Sequence, residues 1–285
     1  MNRTELEARL APCGQTHLAG FWDELDEAGR KNLANQIKSI DFSQLAELLR
    51  GDDAQYSWED LAARAELPPA LGLDEFHHGP QYQQAVETGS QALRDGEVAM
   101  ILVAGGQGSR LGFNHPKGMY EIGPLSHRSL YQMIIEHLSA RAKEFQSRIP
   151  LYIMTSPPTH AESESFLCGH EFFGFDPRDV QLFCQGVMPA VDLEGKLLLE
   201  DKDCLFVSPD GHGGTLAALA RNGCLADMQA RGIKTVFYGQ VDNPLVQVCD
   251  PALIGYHLLR KSEMTTQVIR KNDPLQKVGN VVSVD

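Results

Sequence analysis

Arg110 and Lys117 stand seven residues apart in Val98–Lys117 (VAMILVAGGQGSRLGFNHPK), a stretch that also holds Gly105, Gly106, Gly108 and Gly112. Glycines let the backbone adopt conformations closed to other residues and approach a ligand closely. Bare amides with two cations beside them suit a polyanion, most directly a nucleoside triphosphate. Two common phosphate loops are excluded by spacing. Gly106-Gln107-Gly108-Ser109-Arg110-Leu111-Gly112 has one residue too many for the G-x-G-x-x-G dinucleotide turn. Lys117 lies between Pro116 and Gly118, whereas the Walker loop requires Gly-Lys-Ser/Thr at a helix start. The bland alternative is a tight turn carrying two solvated cations, the usual setting of Arg and Lys. The crowding of glycines around the cations favours a ligand loop.

A loop of this kind must be held by a rigid strand. Val98–Ala104 is a continuous apolar run, as expected of a parallel strand covered on both faces. Further strands are predicted at Leu151–Thr155, Val180–Phe183, Thr235–Gln240, Thr265–Arg270 and Val278–Val284. Helices are predicted over Glu27–Ile40, over Phe42–Leu49 with Asp41 as its cap, and over Pro80–Asp95. Others follow Ser129, Thr159 and Asp250, the first two with a capping-box pattern (Ser129/Gln132 and Thr159/Glu162), and one spans Thr215–Arg231. Alternation of this kind predicts an α/β fold with a doubly wound, mostly parallel sheet over residues 96–285 and an N-terminal helical extension over 1–95. Such sheets bind ligands outside the carboxyl ends of their strands. The glycine loop, Gln185 and Asp242 each follow a predicted strand, so that edge gathers them.

Composition narrows the partners. The chain has 285 residues and a formal net charge of −13, which argues against a nucleic-acid ligand. A phosphorylated substrate still fits a locally basic cleft built from Arg110, Lys117 and Arg128. Six scattered cysteines form no C-x-x-C pair and read as reduced packing residues. The charged start MNRTELEARL lacks a signal-peptide pattern and no apolar run reaches a membrane span, so a cytoplasmic location away from membranes is expected.

Three more candidates sit at strand ends. Asp242, in Val241-Asp242-Asn243-Pro244, can ligate Mg²⁺, which takes one or two carboxylates alongside phosphates; a turn aspartate is the alternative. Gln185 can offer an acceptor and a donor to a base edge, or can equally bond its own loop. The turn Pro209-Asp210-Gly211-His212-Gly213-Gly214 opens a predicted helix whose amides face oxygens well. A lone His such as His212 is more often a structural hydrogen-bonder than a catalytic base.

The stretch AGGQGSRLG…PKGMYEIG resembles the UDP-sugar pyrophosphorylases, most closely the eukaryotic-type UDP-N-acetylhexosamine pyrophosphorylases. The likeness continues in the family's order through Tyr152–Ser156 (YIMTS), Gln185–Ala190 (QGVMPA), Ser208–Gly214 (SPDGHGG), Val241–Asn243 and Lys277–Val282 (KVGNVV). The resemblance implies a uridylyltransferase that makes a UDP-sugar and pyrophosphate from UTP and a sugar 1-phosphate, N-acetylglucosamine 1-phosphate foremost. Arg110 and Lys117 then carry catalysis, Asp242 holds Mg²⁺ (or Mn²⁺), and Gln185 reads uracil. Val103, Ala104, Gly105, Gly106, Gly108, Gly211, His212, Asn243 and Gly279 complete the substrate contacts it implies. One departure bears on the sugar: the acetylhexosamine branch usually has Asn where His212 stands, and His is the choice of the UDP-glucose and broad-specificity branches. Family members also continue well past Lys277–Val282, so the uridine half of the site is expected here and the sugar half is expected to be incomplete. Two rivals follow, the same reaction on glucose 1-phosphate or several sugars, and an inactive uridine-nucleotide-binding module.

Overall fold

The computed structural model describes residues 2–50, 57–273 and 275–284. The chain separates into two compact units, residues 1–69 with 187–209 and 278–285, and residues 70–186 with 210–277. This differs from a cut at residue 95. Helices at 73–94 fall in the sheet unit, where Ala92 and Leu93 join the apolar cluster on the sheet, and the segment 187–209 falls in the other unit.

In the second unit four strands form one parallel sheet: β1 (Val98–Val103), β2 (Leu151–Thr155), β3 (Val180–Cys184) and β4 (Thr235–Gln240), in the order β3-β2-β1-β4. Strand β1 pairs in register with β2 from Met100↔Leu151 and with β4 from Val98↔Thr235. Connections from β1 run first to one side and return to the other, which makes the β1/β4 boundary a topological switch point. Open α/β sheets place ligands outside the strand ends at such a point.

Alternation along β1 explains how both faces are covered. Val98, Met100, Leu102 and Ala104 enter one apolar cluster, and Ala99 and Ile101 enter the opposite one. Helix α1 (Leu73–His78) packs through Phe76 on Tyr256, while the first face is closed by α2 (Tyr82–Arg94), α3 (Leu130–Phe145), α4 (His160–Gly169) and the C-terminal α7 (Pro251–Arg260), and the second by α5 (Thr215–Arg221) and α6 (Cys224–Ala230). The predicted Thr215–Arg231 helix is thus two helices, parted at Gly223 with φ +74°, a conformation that favours glycine. Ser129 Oγ caps α3 by accepting from Gln132 N (3.2 Å), but the Gln132 side chain turns to Glu136 instead of completing a box. Thr159 caps nothing at α4, because its hydroxyl is taken by Ser156 while Glu162 pairs with His115 (2.5 Å).

Helices α2 and α7 touch through two glycines. A Cβ on Gly89 would run into the Pro251 carbonyl oxygen, and one on Gly255 into the Ala85 carbonyl oxygen. Backbone cannot yield as a side-chain tip can. Gly255→Ala is therefore expected to destabilise the sheet unit by about 3 kcal/mol, read as a lower urea midpoint at unchanged slope. An unaltered midpoint would mean that the helices separate freely.

In the first unit, Leu6, Leu10, Leu18, Trp22, Leu33 and Ile37 form a small core with Leu197 and Leu205. Gln15, only 4% exposed, ties this core by donating to Gly195 O (2.8 Å) and accepting from Leu197 N (2.9 Å). Asp41 caps helix Phe42–Arg50 through Ser43 N and Gln44 N, as its sequence predicts. The predicted strands Thr265–Arg270 and Val278–Val284 do not form. Val268 and Ile269 are exposed, and Ser283 makes only an isolated antiparallel bridge to Glu66. Their β-branched composition suits a strand, but among the described residues no neighbouring backbone lies alongside to complete a ladder.

Candidate active site

The loops after all four strands meet the expectation of a shared carboxyl edge. Strand β1 ends in Ala104, whose N–H donates to Met154 O (2.8 Å), and then in the glycine loop. Gly106 O accepts from Lys117 N (3.0 Å) and Gly108 N donates to His115 O (2.9 Å), so the loop folds back on itself as a small antiparallel clasp. Gly108 is tight against Phe113, which leaves no room for a side chain, and Gly112 has φ +70°. Arg110 lies in the short turn Ser109–Leu111, exposed, and forms no ion pair among the described residues. Arg128, the third cation expected near the cleft, is engaged by Glu136 (2.9 Å).

Lys117 and Asp242 face each other directly. Lys117 Nζ donates to Asp242 Oδ2 at 2.8 Å, with the lysine side chain 24% exposed and the aspartate 52%. The lysine side chain also passes Gly106, its Nζ 3.8 Å from where a Cβ would stand, an ordinary contact distance. Asp242 follows β4 because Val241 N donates to Val103 O (3.0 Å), which carries the β1–β4 ladder beyond the last strand residue. Asn243 follows, exposed, its N–H on Gln240 O (3.2 Å). The aspartate therefore sits at the switch point itself.

Gln185 is only 8% exposed, and its backbone is fixed by donation to Thr155 O (2.8 Å). Its amide lies over Gly105, where a Cβ would stand 3.1 Å from Nε2. That amide forms no hydrogen bond with protein among the described residues, and its polar atoms keep access to solvent. On a largely buried residue, this amide end is left able to offer both a donor and an acceptor. Gly211, at φ +61°, leaves open space on its Cβ side. His212 Nδ1 bonds the Tyr238 hydroxyl at 2.6 Å, so the ring is held from β4. Gly279 belongs to the other unit.

Sequence reasoning missed three participants. Tyr238 gave no signal because it occupies an ordinary outward position of β4. Asp210 reaches between Gly186 and Gly214, both of which lack room for a Cβ beside its carboxylate, and Asp210 Oδ1 is buried without a hydrogen-bond partner among the described residues. Ser156 donates from Oγ to Gly105 O at 2.6 Å. Burial raises Cys224 to about 11 and Cys249 to about 12, with Asp227 adding to the first, so both stay thiols.

A single accessible carboxylate beside a lysine matches Mg²⁺, which relies on one or two carboxylates and completes its shell with water and substrate phosphates. It does not match a metal held wholly by protein, since no cluster of three or more His, Cys, Asp or Glu with ligating geometry exists among the described residues.

Comparison with known proteins agrees with this geometry. The family described as UTP–glucose-1-phosphate uridylyltransferase matches residues 71–285. UDP-N-acetylhexosamine pyrophosphorylase-like protein 1 of Homo sapiens is 36% identical over 99% of this chain and 58% of its own length. UDP-N-acetylglucosamine pyrophosphorylase of Saccharomyces cerevisiae is 34% identical over 98% of this chain and 61% of its own. The crystal structure of uridine diphosphate N-acetylglucosamine pyrophosphorylase from Trypanosoma brucei superimposes with a TM-score of 0.77 at 28% identity, covering 92% of this chain and 55% of that one. The chain thus spans about 60% of the length of these relatives. With the glycine loop, the lysine–aspartate pair and the free glutamine all lying inside the matched region, this chain belongs to the UDP-sugar pyrophosphorylase family, the UTP–glucose-1-phosphate uridylyltransferases.

Proposed function

We propose that the chain is a uridylyltransferase that joins UTP and a sugar 1-phosphate into a UDP-sugar with release of pyrophosphate. The sugar phosphate oxygen attacks the α-phosphorus in line, a new P–O bond forms, and the bond to the outgoing pyrophosphate breaks. No covalent nucleophile and no general base is needed, so the protein's part is positioning and charge neutralisation. Arg110, free of any described partner, and Lys117 meet the phosphates. Gln185 reads the uracil edge, and the Gly211–His212 turn faces the sugar side. Val103, Ala104, Gly105, Gly106, Gly108 and Asn243 are the remaining contacts of this reading. Asp242 would hold Mg²⁺, or Mn²⁺ in its place, and the ion when bound offsets phosphate charge.

N-acetylglucosamine 1-phosphate is the favoured sugar substrate, supported by the names of the human, yeast and trypanosomal relatives. Glucose 1-phosphate is the second reading, favoured by His212 in place of the Asn usual in the acetylhexosamine branch. Pyrophosphate release measured with each sugar phosphate separates them. No helix among the described residues is long and apolar enough to cross a membrane, and the chain carries a net charge of −13. The acidic charge supports small molecules over nucleic acid as partners, and a cytoplasmic location without a membrane partner is part of the proposal.

The free Gln185 amide, accessible above Gly105 on a largely buried residue, is the observation that carries this reading. It predicts that the chain binds UTP in preference to ATP, GTP and CTP, on the order of 100-fold, because a site built to bond one base edge rejects another strongly. Calorimetry with the four triphosphates at equal Mg²⁺ checks it. Equal affinities for UTP and ATP would reduce the site to a phosphate reader.

A further inference from the structure

We propose that Ser156 is a positioning residue of the nucleotide site, its hydroxyl deciding which way the Gly105–Gly106 peptide faces. This rests on the uridine-nucleotide reading above. In a trans peptide the carbonyl and the following N–H point in opposite directions. Between two glycines neither orientation is sterically preferred, so such a peptide turns over easily unless something holds it. Ser156 Oγ holds it, at 2.6 Å from Gly105 O.

The polarity of that bond is set by the residues behind it. A serine hydroxyl has one proton, and Gly105 O, being a carbonyl, can only accept it. Ser156 Oγ then accepts from Thr159 Oγ1 at 2.8 Å, and Thr159 Oγ1 in turn accepts from Ser156 N at 3.0 Å. Ser156 is 1% exposed and Thr159 is fully buried, so water does not compete for these groups. The network leaves the Gly105 carbonyl drawn inward, and the N–H of Gly106 outward on an exposed residue. Gly106 N donates to no group among the described residues, although Gly106 O is occupied by Lys117 N. The same glycine is passed by the Lys117 ammonium. The outward N–H therefore faces an acceptor oxygen of the nucleotide, from a phosphate or from a uracil carbonyl. Turned over, the peptide would offer a carbonyl oxygen to that acceptor and repel it. This gives Ser156, in the segment Tyr152–Ser156, a part in recognition at a distance from the ligand.

The test compares the full chain with Ser156→Ala, Ser156→Cys and Thr159→Val by calorimetry with UTP, UMP and pyrophosphate, alongside thermal unfolding and the amide NMR resonance of Gly106. Ser156→Ala is expected to weaken UTP about 10-fold, the loss of one hydrogen bond to a charged or strongly polar group, and to shift the Gly106 resonance before any ligand is added. Ser156→Cys, a weak donor of nearly the same shape, should fall between. Thr159→Val removes the rear of the network but leaves the bond to Gly105, so it should lower the unfolding temperature while holding UTP affinity within about 2-fold. Weakened UMP assigns the Gly106 N–H to the base, and weakened pyrophosphate assigns it to the phosphates; either supports the proposal. UTP affinity unchanged in Ser156→Ala, or reduced equally in Thr159→Val, would overturn it and leave Ser156 a merely structural residue. Loss of UTP preference in the unmutated chain would overturn the nucleotide reading itself, and this proposal with it.

Discussion

Lys117→Ala is expected to lower turnover on the order of 100- to 1000-fold, the usual effect of removing one preorganised charge from a polar transition state. The lysine is well placed for such an effect. Its backbone is fixed by Gly106 O, and its ammonium projects past the glycine loop to the switch point between β1 and β4. An ammonium held there meets phosphate charge without first having to be ordered. The fold should survive, because the partner left behind, Asp242, is half exposed and water can solvate it; a pair of this exposure contributes no more than about 1 kcal/mol. Arg110→Ala should show a comparable loss with no change in stability, since Arg110 forms no described ion pair. Pyrophosphate release at saturating UTP, beside thermal unfolding, reads both effects. Near-normal turnover in both variants would remove the glycine loop from the chemistry.

The legible parts of the site share a physical signature. A continuous apolar run marks a strand buried on both faces, and Val98–Val103 is that strand. Gln185 and Asp242 follow strands of mixed composition, and the rule that ligands lie beyond strand ends points to them. The distribution of the chain between two units was not legible. Residues 187–209 carry short strand pairs whose apolar residues, Leu197 and Leu205, complete a core begun by Leu6 and Leu33. Periodicity records that a side chain is buried and is silent on the element against which it packs. The same limit explains Thr265–Arg270, where composition suits a strand but pairing depends on a neighbour. Ser156 was hidden for a third reason. Its partner is a backbone oxygen 51 residues away, and a carbonyl leaves no mark on residue type. The Thr159/Glu162 capping pattern misled by the same logic, for Thr159 serves Ser156 and Glu162 serves His115.

Asp242→Asn is expected to change UTP binding in two opposite directions. Without metal, the Asp242 carboxylate repels phosphate oxygens and holds the Lys117 ammonium at 2.8 Å. Asparagine keeps the shape and still accepts from Lys117, but it removes the negative charge. Two charges a few ångströms apart in a wet cleft interact by about 1 kcal/mol, so UTP affinity in the presence of a chelator should rise about 5-fold. With Mg²⁺ present the sign reverses. The hard cation prefers a carboxylate to an amide oxygen, so the gain in UTP affinity on adding Mg²⁺ should shrink, and the Mg²⁺ concentration for half-maximal turnover should rise. The rate at saturating metal should fall on the order of 100-fold, as for a lost transition-state contact. A turn aspartate before Pro244 would behave differently: its loss would lower thermal stability and leave UTP affinity alike with and without metal. Calorimetry of UTP in chelator and across a Mg²⁺ series therefore distinguishes the two roles by sign as well as by size. A metal-free affinity that stays constant, with an unmoved Mg²⁺ midpoint, would return Asp242 to the turn and leave the lysine as the only charged side chain acting from that end of the cleft.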